Sequence, residues 1–256
     1  MRTWFYGLAA VAAVATAAPA DDKPAQDKAA VAVVKKAIEA HGGADVLNKY
    51  KAGTMRIKGT ASVMGLDLEF TGEVSYAFPD KYKMTMDADL MGQKLKIVNV
   101  ANGKTVKSTV NGLAAPIPDA AKEEMASNAV EQEVTTLTPL LDADKYTLKS
   151  APDADVNGKP AAVVVVSGKR LKDKEWKLFF DKDKGTLVKM QRKGVAADGS
   201  TEVDEESYMM DYKKVDGVLT PGKVEVKHDG KKFLTFEITD VKYKEKADDK
   251  EFAIDD

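Results

Sequence analysis

Two histidines, His41 and His228, are the only imidazoles in a 256-residue chain without cysteine. Transition-metal sites are built largely from imidazole and thiolate, so a joint metal centre would need ligands this chain does not offer, and no metal is expected. His41 precedes Gly42 and Gly43 at the end of a helical stretch, where its ring can complement the helix dipole. His228 closes a strand-like run in phase with Val224 and Val226. The run from Asp181 to Gly185 begins like a calcium loop, but a full set of acidic ligands and the distal glutamate are missing, which leaves a hairpin turn. Asp204, Glu205 and Glu206 form a carboxylate run beside an irregular loop and are expected to be solvated. Ser207 follows with no identifiable base, and neither a Gly-x-Ser-x-Gly motif nor a phosphate loop occurs. Nucleophilic catalysis therefore has no candidate, and neither an enzyme activity nor a cofactor is expected.

Composition narrows the remaining classes. The formal net charge is −2, with 31% charged residues of mixed sign, so no strong field favours nucleic acid. The basic stretch Lys169 to Lys174 reads as a solvated hairpin tip. Residues 1–20 carry one positive charge, an uncharged apolar core and small residues at Ala18 and Ala20. That is the pattern of a secretory signal peptide, and no later stretch is apolar enough for a transmembrane span. An exported chain without cysteine has no disulfides, so its core alone must stabilise the fold, and it has no N-terminal cysteine to lipidate. Residues 21–27 read as a flexible leader and 28–256 as one domain of a soluble periplasmic monomer.

The elements follow from periodicity. From Asp27, Val31, Val34 and Ile38 share a helical face that Gly42 and Gly43 terminate, with a short second helix over residues 44–49. Alternating strands then begin. Met55 and Ile57 open the first, Phe70, Val74 and Tyr76 share a face of the second, Met84 and Met86 of the third, and Leu95 and Ile97 of the fourth. Pro116 and Pro118 interrupt this meander, and Asp119 starts a helix running to about Thr136. Its apolar stripe is Ala126, Val130, Val134 and Leu137, with Lys122, Glu123, Glu131 and Glu133 expected to face away. Strands then resume, including Trp176, Leu178 and Phe180. The run from Tyr208 to Tyr243 reads as three antiparallel strands with Tyr208, Met210 and Tyr212 on one side, turned at Asp216-Gly217 and Asp229-Gly230. The total is about eleven or twelve strands in one sheet with one apolar side. That alternation is the same for a filled core and for a lined cavity.

The order of parts resembles the LolA/LolB-like periplasmic lipoprotein-carrier superfamily. The resemblance rests on the signal peptide, the helix ending at His41-Gly42-Gly43, Phe78 to Tyr82, and the turn Asn102-Gly103-Lys104. It continues through the helical insertion, Val156 to Pro160, Phe180 to Gly185, Asp211 to Pro221, Ile238 to Val241 and Glu251-Phe252. What it implies is a mainly β (α+β) fold, an open half-barrel antiparallel sheet with a helical lid over its concave apolar face. The cavity would be lined by Met55, Ile57, Phe70, Val74, Tyr76, Met84, Met86, Leu95, Ile97, Met125, Trp176, Leu178, Phe180 and Met210. The lid would be the stripe Ala126, Val130, Val134 and Leu137. Methionines suit such a lining because their unbranched chains adapt to flexible cargo. The implied cargo is a lipid, lipoprotein acyl chains or another apolar ligand, and since no arginine here is matched to the one that locks the lid in lipoprotein carriers, lipid or another apolar ligand is favoured over lipoprotein. The alternative on the same scaffold is an envelope sensor that engages a protein partner and transports no ligand.

Overall fold

Asp27 sets the first helix. Its carboxylate accepts from the Ala29 amide at 2.8 Å, and α1 runs Lys28–Ala40, as an aspartate N-cap directs. The chain then turns through Gly42 and Gly43, at φ 127° and 86°, into the short α2, Ala44–Lys49. Gly42 is needed there because a Cβ would stand 2.5 Å from the Gly217 carbonyl oxygen. The structure is a computed structural model describing residues 26–63, 65–172 and 174–253. The expected signal peptide, and the leader before Gln26, lie outside the described residues.

A first meander comprises β1 (Ala52–Val63), β2 (Leu66–Ala77), β3 (Lys81–Leu90), β4 (Gln93–Asn102), β5 (Thr105–Val110) and β6 (Leu113–Ala114). Helix α3 (Asp119–Thr135) and a 3-10 turn (Thr138–Leu141) follow. The second meander is β7 (Thr147–Val156), β8 (Lys159–Ser167), β9 (Trp176–Asp181), β10 (Leu187–Val195) and β11 (Glu202–Met210). The small hairpin β12 (Lys213–Val215) and β13 (Val218–Thr220) leads to β14 (Lys223–His228) and β15 (Lys231–Lys244).

Among the described residues, thirteen strands form one open antiparallel sheet in the order β6-β5-β4-β3-β2-β1-β15-β14-β11-β10-β9-β8-β7. The two meanders are joined by the first and last strands, with Met55 opposite Val241. β6 and β7 are therefore the two edges, although they are consecutive in the chain. The link between them must cross one face of the sheet, and α3 is that link. Its contacts reach both halves, β3 and β4 on one side and β10 on the other. Topology thus makes α3 the lid of the half-barrel.

Two expectations are corrected here. Thirteen sheet strands plus the separate hairpin exceed the eleven or twelve read from periodicity. The difference lies in the two-residue β6 and in the run from Tyr208 to Tyr243, which is not three strands. Asp211, at φ 54°, ends β11, and Asp216 and Gly217, at φ 50° and 90°, fold β12 and β13 into a hairpin outside the main sheet. Tyr212 thus leaves the strand that was to hold it in line with Tyr208 and Met210.

The core is divided under the lid. One cluster packs Val34, Ala37 and Ile38 of α1 and Val134, Leu137 and Leu140 against Leu148, Val166, Leu178 and Phe180. A second packs Ile57, Phe70, Val74, Tyr76, Tyr82 and Ile238 with Ala129 of α3. Helix α1 therefore fills the β7–β10 half of the concave face, and the β1–β3 half is covered by α3 and the β12–β13 hairpin.

Candidate functional site

A cavity of about 420 Å³ lies in that second half, between α3 and the middle of the sheet. Its apolar wall is Met55 and Ile57 of β1, Val74 and Tyr76 of β2, Tyr82 and Met84 of β3, Val224 and Val226 of β14, and Leu234, Phe236 and Ile238 of β15. These are alternate residues, because strand side chains change face at every step. The β12–β13 hairpin closes one end through Val218, Leu219 and Thr220. It is held by Leu219 N donating to the His41 carbonyl at 2.9 Å, and Thr220 Oγ1 bonded to Tyr243 Oη at 2.7 Å.

The expected lining divides accordingly. Met55, Ile57, Val74, Tyr76 and Met84 stand on the cavity wall. Phe70 is buried in the same core cluster, and Met86 packs against that cluster, but neither faces the cavity. Leu95, Ile97 and Met125 are half-buried outside it. Trp176, Leu178 and Phe180, at 3%, 0% and 1% exposure, lie in the core beneath α1. Met210 is on the wrong face: Glu205, Ser207 and Met209 are the β11 residues that line the cavity. The three-strand reading had put Met210 in phase with Tyr212, and Tyr212 does line the cavity, but only after the break at Asp211.

The lid also differs from its expected form. Val134 and Leu137 are fully buried and Val130 packs beside them, whereas Ala126 is only half-buried and Ala129 takes the inner position. Glu133, expected to face solvent, is 4% exposed and pairs with Arg170 at 2.7 Å. Glu131 likewise turns inward. The face that α3 shows the cavity is polar: Glu124, Asn128, Glu131, Gln132, Thr135 and Thr136. Val134 therefore belongs to the packed core and not to the cavity wall.

Opposite this helix face the sheet supplies charges of its own. Arg192 of β10 stands directly across from Glu205 of β11, which stands across from His228 of β14, so three adjacent strands carry one row. Arg192 Nη2 lies 2.5 Å from Glu124 Oε1, 2.8 Å from Glu205 Oε1 and 3.3 Å from Glu131 Oε2. His228 Nε2 is 3.1 Å from Glu205 Oε2, with its ring stacked on Phe233 at 4.0 Å. The guanidinium also sits over the Trp176 ring at 5.4 Å. Charges withdrawn from water must be paired, and this arginine joins the lid helix to the sheet.

The electrostatics of the cluster are unequal. Burial, only partly opposed by Arg192, pushes the Glu131 carboxyl up to about 7. It lines the cavity and keeps 23% of its side-chain surface accessible. Glu205 is held below the ordinary range: burial raises it, but the hydrogen bond with His228 and the Arg192 charge outweigh this. Arg192 is raised, because three carboxylates overcome the cost of burying it. Burial also keeps His41 neutral to lower pH, only partly offset by its 2.8 Å contact with the Ala37 carbonyl.

Sequence reasoning missed this wall. Glu205 was read as one of three solvated carboxylates, yet it sits in a strand at 9% exposure. The available signal was the inward phase of Val203, Glu205, Ser207 and Met209. Arg192 shares the phase of Met190, and a single arginine in such a register is a buried-pair candidate.

No family model and no curated protein matches the chain at the sequence level. Its architecture is found among solved structures. A DUF1329 family protein from Desulfovibrio piger superposes with a TM-score of 0.56 at 13% identity, over 88% of this chain and 97% of that one. A LolA superfamily protein from Nitrosomonas europaea gives 0.57 at 11% identity, again over 88% and 97%. The likeness is one of fold, and it is the fold that the sequence resemblance implied.

Proposed function

We propose that the protein is a binding protein of the bacterial periplasm that shields a lipid or other amphiphile beneath α3, without covalent chemistry. The observation that carries this is the cavity of about 420 Å³ left between α3 and the apolar faces of β1, β2, β3, β14 and β15. That size is in the range of small-molecule sites, and an apolar wall with a few convergent polar groups is their common form. Each buried methylene would contribute about 0.8 kcal/mol, enough for a single chain to be held reversibly. The signal-type N-terminus and the fold shared with a LolA superfamily protein support export and carriage.

The test is mass spectrometry of organic extracts of the protein purified without detergent, combined with uptake of a fluorescent fatty acid. A stoichiometric co-purified amphiphile, or saturable uptake, is the expected result. A protein that yields no ligand and takes up no probe would replace the carrier by the envelope interaction module.

A further inference from the structure

The charges on the cavity wall are engaged with one another. Glu124, Glu131 and Glu205 pair with Arg192, and His228 pairs with Glu205. What the wall leaves unpartnered is uncharged. Tyr76 and Tyr82 stand directly opposite each other on β2 and β3, line the cavity and are each 8% exposed. Among the described residues neither hydroxyl makes a hydrogen bond, although a buried donor normally has an acceptor. Neither oxygen is sealed off by packing, unlike the buried Nε of Arg192. Their surroundings place both on the cavity side. A Cβ at Gly53 would stand 2.6 Å from Tyr76 Oη, so this phenol lies across bare β1 backbone, in the phase of the lining residues Met55 and Ile57. Tyr82 feels the charge of Glu131, which lines the cavity from α3. At the hairpin end His41, also on the wall, donates through Nδ1 to the Ala37 carbonyl at 2.8 Å, so its Nε2 is a lone pair without a donor. Burial favours the neutral form of all three rings.

We infer that the cavity selects an uncharged amphiphile of the acylglycerol kind, with ester oxygens accepting from the Tyr76 and Tyr82 hydroxyls. The inference rests on the carrier reading and names the chemistry of its ligand. A free glycerol hydroxyl supplies the donor that His41 Nε2 lacks. An anionic head would stand beside Glu131 and Glu205, whose cation is already engaged, and a cationic head would give the phenols no acceptor. Either would also carry a charge out of water without a free partner, which is costly.

The experiment is calorimetric titration of the full chain, below aggregation of each amphiphile, with monododecanoylglycerol, dodecanoate and dodecyltrimethylammonium, which share a twelve-carbon chain. The glyceride is expected to bind tightest, by at least about tenfold over either ion, a modest discrimination for a charge buried without a partner. In the double variant Tyr76→Phe, Tyr82→Phe the rings remain and the two hydroxyls go. Its affinity for the glyceride should fall about tenfold, the worth of two ordinary hydrogen bonds, while its affinity for dodecyltrimethylammonium should hold. Tyr208→Phe, outside the cavity, should change neither. A glyceride that binds no more tightly than either ion, or equally well to the double variant, overturns the inference while the carrier reading stands. Binding of none of the three overturns both. The wild-type comparison decides by itself if the double variant fails to fold.

Discussion

Arg192 Nη2 donates to Glu124 Oε1 at 2.5 Å across 68 residues of sequence, tying the middle of β10 to the lid helix that crosses it. A buried guanidinium shared by carboxylates of two elements is a clasp whose removal strands the partners' charges. Arg192→Met should therefore destabilise the fold by about 3–5 kcal/mol at neutral pH, read from the urea midpoint. The loss should shrink in mild acid, where the freed carboxylates take up protons. Arg192→Lys should recover only part of it, because an ammonium cannot reproduce the planar donor array. A neutral effect of Arg192→Met would show that the lid is held by Val134 and Leu137 alone.

Glu131 gives a pH signature. Its carboxyl titrates at about 7 in the folded protein against an ordinary 4.5, so the folded state holds the proton more tightly than the unfolded chain does. The associated stability is full below the unfolded value and is lost as pH rises through the folded one. Relative to Glu131→Gln, the wild type should thus lose melting temperature between about pH 5 and about pH 8. His41 is present in both proteins and cancels. A difference that stays flat over this range would place the Glu131 carboxylate in water.

Filling the cavity should separate binding from stability. Val226 lies on the wall formed by β14, and Val226→Phe adds volume where the interior is empty, so overpacking should be slight. Uptake of an apolar probe should fall at least about tenfold with the melting point unchanged or raised, as expected when a pocket is occupied by its own side chain. Undiminished uptake would mean that the probe binds elsewhere.

Gly59 lets β1 close on β15. A Cβ at this position would stand 2.1 Å from the Thr235 carbonyl oxygen and 2.8 Å from Phe236 Cα. Both neighbours are backbone at the seam that joins the two meanders, so neither can move cheaply. Gly59→Ala should cost about 1–3 kcal/mol, in the range of overpacked sites, measured by thermal melting. An unchanged melting point would show that the seam between β1 and β15 can open to admit a methyl group.

Much of the architecture is local, and local physics is legible in a linear chain. Asp27 at the head of α1, Gly42 and Gly43 at its end, and the turns at Asn157-Gly158 and Asp229-Gly230 all form where their types require. Alternation placed Met55, Ile57, Val74, Tyr76 and Met84 on one face, and that face is the cavity wall. Alternation depends only on the pleat, so it survives ignorance of the partner strands.

Pairing over distance had to be supplied by the folded chain. Periodicity could not tell that α1 fills one half of the concave face and leaves the other open, which puts Trp176, Leu178 and Phe180 in the core and Met84 at the cavity. Nor could it count the partners of a charge. Glu131 on the helix and Glu205 in a carboxylate run look solvated one residue at a time, yet Glu131 turns inward half-buried and Glu205 is buried, because Arg192, Glu205 and His228 fall in register on three strands beneath α3. An isolated carboxylate prefers water, and only the tertiary structure, by bringing a guanidinium within 3.3 Å, changes that preference.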